Sequence, residues 1–248
     1  MLEFLGSYYY FAVPLQILAI IHAIKTGRRD WIYLLIFLPL FGALVYFYME
    51  ILPEISRGTF LKNLQKYFLP KQQIKNWQRR VQISDTIANK LGLSNAYAEQ
   101  KQYGKALELA LNCLKGRYAE DPVIMLHVAR LYFQSEQYAE SLRYFDLAKS
   151  KPGNHFKIPE DEILYCRAQE GLGESQLAEE GYKRIIRIHH SLEARYSYGL
   201  FLKNEVRKIE AKQQFQSIRA EIKLLPKYLR KRNFYLAIRS LKQIWSSK

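Results

Sequence analysis

The feature that most constrains this chain is a period of about 35 residues. The segments LSNAYAEQKQYGKALELALNCL (93–114) and VARLYFQSEQYAESLRYFDLAK (128–149) align without a gap. Leu93, Tyr97, Tyr103, Ala106 and Cys113 meet Val128, Tyr132, Tyr138, Ser141 and Ala148, each 35 positions later. A third copy carries Gly173, Ala178 and Tyr182, and a fourth carries Gly199, Ala211 and Phe215. The small residues Ala106, Ser141, Ala178 and Ala211 are 35, 37 and 33 apart. A recurrence of this length is the mark of stacked supersecondary units, each burying its apolar face only against a neighbour. Small residues recur because two helices cross closely there. Tyr97, Tyr132, Phe145, Tyr182 and Phe215 supply the bulk that fills the spaces between helices.

This pattern is similar to the tetratricopeptide repeat (TPR), a helix–turn–helix unit of about 34 residues. The resemblance covers roughly 86–225. Lys101, Glu136 and Val206 stand where the turn glycine kept as Gly173 is usual. The prolines that close a repeat are displaced to Pro122 and Pro226. Beyond Pro226, Leu229, Phe234, Ala237, Ile238, Leu241 and Trp245 mark one face of a basic helix, as a terminal cap requires.

The N-terminal fifth differs. The run WIYLLIFLPLFGALVYFYMEIL (31–52) holds no charge before Glu50, and a second apolar run (8–24) precedes it across the turn KTGRRD. Twenty or so apolar residues suffice to span a bilayer. The pair predicts a transmembrane hairpin, with two buried helices of an ordinary core as the alternative. A cleaved signal peptide is disfavoured, because MLEFLGS has no basic residue. The order of Trp31, Pro39, Gly42 and Tyr46 resembles the two-helix segment preceding phospholipase D-type cardiolipin synthases. The catalytic apparatus of those enzymes, two HxKxxxxD motifs, is absent. The nearest run puts His155 and Lys157 before Glu162, and it has no second copy.

Charge bears on partners. The chain carries 38 Lys and Arg against 23 Asp and Glu. Residues 1–55 hold three basic and four acidic side chains, so the whole positive excess lies in 56–248. Such a surface favours anionic partners. Phe60, Lys62, Lys66, Phe68 and Lys71 form a segment suited to a lipid headgroup region or, alternatively, to packing on the first repeat. Basic groups after the second apolar run outnumber Lys25, Arg28 and Arg29 in the turn, which predicts a cytoplasmic solenoid at a bacterial inner membrane.

The resemblance to TPR proteins implies a concave face lined by the first helix of each pair. Asn95, His127, Arg130, Phe133, Arg167, Tyr196 and Lys203 are its candidate protein-binding residues, alongside the acids Glu160 and Glu170. Arg130 and Arg167 occupy equivalent places and suit an extended acidic peptide through bidentate bonds, or else pair with Glu160 or Glu170. Some members clamp a C-terminal carboxylate. Asn95 matches one clamp asparagine, but Leu91, Glu160 and Leu164 replace other positions.

Nothing points to catalysis or a cofactor. His189 and His190 are adjacent and face apart on a helix, and no HExxH, Walker, GxGxxG or GxSxG motif occurs. Cys113 and Cys166 are far apart and read as core residues. Nucleic-acid binding would rest on charge alone. The sequence thus predicts an all-α chain: a transmembrane hairpin (1–55), a basic segment (56–83), four TPR-like repeats (84–225) and a capping helix (226–248). The predicted function is a membrane-tethered protein-interaction scaffold, with an anionic-lipid or nucleic-acid module as the alternative.

Overall fold

The computed structural model describes residues 2–61, 63, 70–151 and 158–246; for 2–12, 39 and 70 it describes the backbone only. The chain is helical throughout these residues and divides into two compact units. One comprises 1–69 with 216–248, and the other comprises 70–215.

In the second unit, α5 (Pro70–Ile83) precedes four helix pairs. These are α6 (Ile87–Glu99) with α7 (Tyr103–Cys113), α8 (Pro122–Gln134) with α9 (Tyr138–Lys149), α10 (Pro159–Gly171) with α11 (Ser175–His189), and α12 (Leu192–Asn204) with α13 (Lys208–Leu224). The division between units falls within α13.

Local chemistry sets the ends of these helices. Thr86 accepts the Asn89 N–H, Asp121 accepts those of Val123 and Ile124, and Ser191 accepts that of Ala194. Each side-chain oxygen satisfies an orphan donor of a first helix. Pro122 and Pro159 occupy first-turn positions, where a missing N–H costs nothing.

The turns inside the pairs repeat one geometry. Lys101, Glu136, Gly173 and Val206 all have left-handed backbone, with φ of 59°, 62°, 80° and 62°. In each, the following N–H reaches back to the carbonyl five residues earlier: Gln102 to Tyr97, Gln137 to Tyr132, Glu174 to Gln169 and Arg207 to Leu202. That is the Schellman closure of a helix. Glycine adopts it freely, whereas a β-branched valine resists it. The sequence reading that these positions replace a turn glycine is borne out by their shared backbone conformation.

The small residues meet the tight crossings. Ala106, Ser141, Ala178 and Ala211 are completely buried, as are Phe145, Tyr182 and Phe215. Ser141 donates its hydroxyl to the Ala129 carbonyl at 2.9 Å, so its polar atom is satisfied inside the core. Cys113 and Cys166 are free and buried, and burial pushes the Cys166 thiol up to about 12. Ahead of the repeats, Trp77 of α5 lies so close to Gly92 that a β-carbon there would strike its ring. Residues 70–83 therefore pack on the first repeat; Lys62, Lys66 and Phe68 fall outside the described residues.

The first unit corrects the transmembrane reading of 1–55. The run 31–52 forms no continuous helix. It divides into α2 (Asp30–Phe37), α3 (Pro39–Tyr46), a π-helical turn (Phe47–Ile51) and α4 (Leu52–Ser56). The break is at Leu38, with φ −128° and ψ 72°, because the residue before a proline is driven out of helical conformation. The eight residues of α2 at 1.5 Å rise give about 12 Å, against about 30 Å of hydrocarbon. Gly42 sits so near the Leu34 carbonyl that any side chain would collide with it, which holds α3 close against α2.

The preceding helix, α1 (Leu2–Lys25), is long but interrupted by polar groups that serve this packing. Proline 39 has no N–H to offer the carbonyl four residues back, at Leu35. The Gln16 side chain takes that place at 2.7 Å. His22 and Tyr46, both buried, share a 2.7 Å hydrogen bond. Among the described residues no helix is long and apolar enough to cross a membrane. The expected transmembrane hairpin and multi-pass inner-membrane placement are thereby overturned, and the topology argument goes with them.

Ala19, Ala23, Leu35, Ala43 and Tyr46 form the small core of this unit, flanked by Ile20, Trp31 and Ile51. The last helix, α14 (Lys227–Ser246), packs on α4. A charged cluster pins it. Arg28 bonds Glu50 at 3.1 Å and Glu54 at 2.5 Å, while Trp31 Nε1 and Lys242 Nζ donate to Glu50 at 2.9 and 2.8 Å.

Candidate functional site: the face of the first helices

Within the repeat unit, α8 contacts α10 and α10 contacts α12, so neighbouring first helices approach one another directly. Polar bridges cross the same row. Ser94 donates to the Ala106 carbonyl at 2.8 Å and lies 3.1 Å from His127 Nε2, joining α6 to α8. Arg130 makes a two-pronged bond to Asp161, 2.6 Å from Nε and 2.7 Å from Nη2, joining α8 to α10. Arg167 of α10 lies over the Phe133 ring of α8, 5.0 Å from its centroid.

These bridges differ in what they leave available. The Asp161 side chain is only 2% exposed, so its charge is committed to Arg130. A bidentate guanidinium–carboxylate pair fixes both partners in one plane. Arg130 thus finds its acid inside the fold, at Asp161, where Glu160 and Glu170 were the acids considered from sequence. His127 is buried and stays neutral. Desolvation, and then the Arg130 charge, bring its pKa down to about 4.

Arg167 is exposed and makes no ion pair among the described residues. A cation–π contact of this kind leaves the N–H donors of the guanidinium unused. Beneath it Tyr182 donates a hydrogen bond to Glu170, whose pKa is raised by burial.

Of the seven residues the sequence nominated, the structure brings Arg130, Phe133 and Arg167 together on α8 and α10. Asn95 is exposed on α6 and His127 is buried beside Ser94. Tyr196 turns toward α13, its ring 5.5 Å from that of Phe215. Lys203 is half-buried near the end of α12. The sequence reading missed Ser94 and Asp161. Their signal is weak, a small polar residue in an apolar heptad and one acid among three at a helix start. Another link further along was also missed. Glu179 receives Tyr198 at 2.7 Å and Arg207 at 2.7 Å, and the Arg207 bond above all lowers it to about 2.

Metal chemistry finds no footing in the described residues, where no group of three His, Cys, Asp or Glu side chains could hold an ion. His155 and Lys157 lie outside them.

Two solved structures resemble this architecture. A thermophilic TPR protein of Thermus thermophilus aligns at 15% identity, covering 74% of this chain and 98% of that one, with a TM-score of 0.53. Nearly identical TPR-like repeats from Podosopora anserina align at 17% identity, covering 70% and 93%, also at 0.53. The fold is TPR-like. No protein-family model matches the sequence, and no curated protein does. The resemblance of the N-terminal segment to cardiolipin synthases finds no support among these matches.

Proposed function

We propose that the chain is a non-catalytic interaction scaffold. It holds an extended, acidic segment of a partner protein along the face built by α6, α8, α10 and α12. The observation that carries this is the Phe133–Arg167 pair. It presents an exposed guanidinium that lies over an aromatic ring and makes no ion pair among the described residues. Such a surface takes a carboxylate at the N–H edge and an adjacent apolar side chain against Phe133. The Arg130–Asp161 pair stiffens the platform, so less ordering is needed on binding. Repeat stacking suits the partner geometry, because first helices side by side make a continuous surface for an extended chain.

The test is an array of fluorescein-labelled octapeptides that pair acidic with aliphatic or aromatic residues. They would be titrated against the full chain by anisotropy. Acidic sequences should bind, with affinity reduced at least ten-fold by Phe133→Ala or Arg167→Glu and the helical circular dichroism unchanged. Equal binding of basic and acidic sequences, or indifference to both substitutions, would remove this face as the site.

A further inference from the structure

The unit that joins both chain ends carries a second surface with its own chemistry. Leu52 and Ser56 on α4 and Lys227, Arg230, Lys231 and Phe234 on α14 line an open groove of about 430 Å³. Its accessible wall is almost all carbon, supplied by Leu52, Phe234 and the alkyl stems of the three basic residues. The volume lies within the range of small-molecule sites.

Three cations edge that wall. Lys227, Arg230 and Lys231 are exposed and make no ion pair among the described residues. Their position works against the helix that bears them. They occupy the opening turns of α14, where the backbone dipole is positive and an acid would stabilise, yet the first turn holds no acid. An anion on these residues offsets that imbalance, since it brings negative charge to three cations in the opening turns of the helix.

We propose that this groove binds a single-chain anionic amphiphile, its phosphate or carboxylate head on Arg230, Lys231 and Lys227 and its alkyl chain along Leu52 and Phe234. All six lining residues belong to one compact unit, and none is on α6, α8, α10 or α12. Arg230 supplies planar, two-donor recognition of the head, while the lysines act as point charges. Ser56 directs its hydroxyl to the Pro53 carbonyl at 2.9 Å, so it offers the chain a β-carbon.

The experiment titrates the full chain by calorimetry with dodecyl phosphate below its micelle threshold. Dodecylphosphocholine and inorganic phosphate serve as controls. Dodecyl phosphate should bind at least ten-fold more tightly than either. The paired change Arg230→Gln with Lys231→Gln removes charge from exposed positions, and Ser56→Trp fills the groove; each should weaken binding at least ten-fold. Competition by phosphatidylglycerol vesicles would assign the head to a lipid, and its absence would assign a free amphiphile; both keep the site. Equal affinity for dodecyl phosphate and dodecylphosphocholine, or for inorganic phosphate, would overturn the proposal. So would binding indifferent to both variants, or no binding to amphiphile and vesicles alike.

Discussion

The repeat unit and the unit formed by the chain ends are both helical, yet different forces hold them. In the repeats, cohesion is periodic and mainly apolar. A small residue is buried at each crossing, and the same backbone closure ends each first helix. In the other unit the apolar core is small, and ion pairs tie segments far apart in sequence, as Lys242 to Glu50 does across 192 residues. A periodic core spreads its stability over many equivalent contacts, whereas a charged cluster concentrates it in a few.

The largest expected effect therefore lies at Arg28. Truncation by Arg28→Ala leaves Glu50 and Glu54 close together and nearly buried, with one cation fewer between them. Losing one partner of a buried pair costs about 3 kcal/mol at the low end. Hydrogen exchange should show α1–α4 and α14 opening while α6–α11 stay protected. Uniform loss of protection would mean that the two units do not differ in this way.

Ala178→Leu is the counterpart in the repeats. Leucine has no room at this fully buried crossing and should cost about 2–3 kcal/mol by overpacking. Exchange should now rise in α10 and α11 and remain unaltered in α2 and α3.

Acid should loosen the part of the repeat unit around His127. His127 titrates near 6.5 when unfolded and at about 4 when folded, so the folded chain binds fewer protons between those values. Its contribution to stability is complete above about pH 6.5 and is lost as pH falls toward 4. A loss on the order of 3 kcal/mol is expected in α6–α9 from the size of that shift. His127→Gln should flatten the pH dependence of their exchange over that window. An unchanged pH profile would exclude His127 as its source.

The smallest effect tests the turns. Val206 is 76% exposed with left-handed backbone, so its side chain gains little and strains the chain. Val206→Gly should stabilise by about 1 kcal/mol, whereas Gly173→Val should destabilise by a similar amount. Chemical denaturation followed in the local helices would check the opposed signs.

The same contrast explains what could be read from sequence. Ala106, Ser141, Ala178 and Ala211 recur because each repeat solves one packing problem, so alignment exposes them. The left-handed turns were legible for the same reason. Pro39 signals the break at Leu38, but membrane-spanning helices tolerate proline, so the residue alone does not distinguish the two outcomes. Gln16 and His22 are polar residues within an apolar run, and their partners at Leu35 and Tyr46 become visible only in three dimensions. The pairing of Glu50 with Lys242 has no local signature. In the candidate site, Arg130 and Arg167 were found by equivalence of position. The asymmetry between them depends on Asp161, which belongs to the acidic start of α10 and has no counterpart in the other repeats.

A charge exchange separates direct contact between Arg167 and an acidic partner segment from an indirect effect. Anisotropy would be measured for an acidic octapeptide selected on the unmodified chain and for its copy with the key acid changed to Lys. Each would be titrated against the unmodified chain and against Arg167→Glu. Each single reversal should weaken binding at least ten-fold, and the double reversal should restore most of it. Two losses that simply add, with no recovery in the double reversal, would contradict a direct Arg167–carboxylate contact and the binding face built on it.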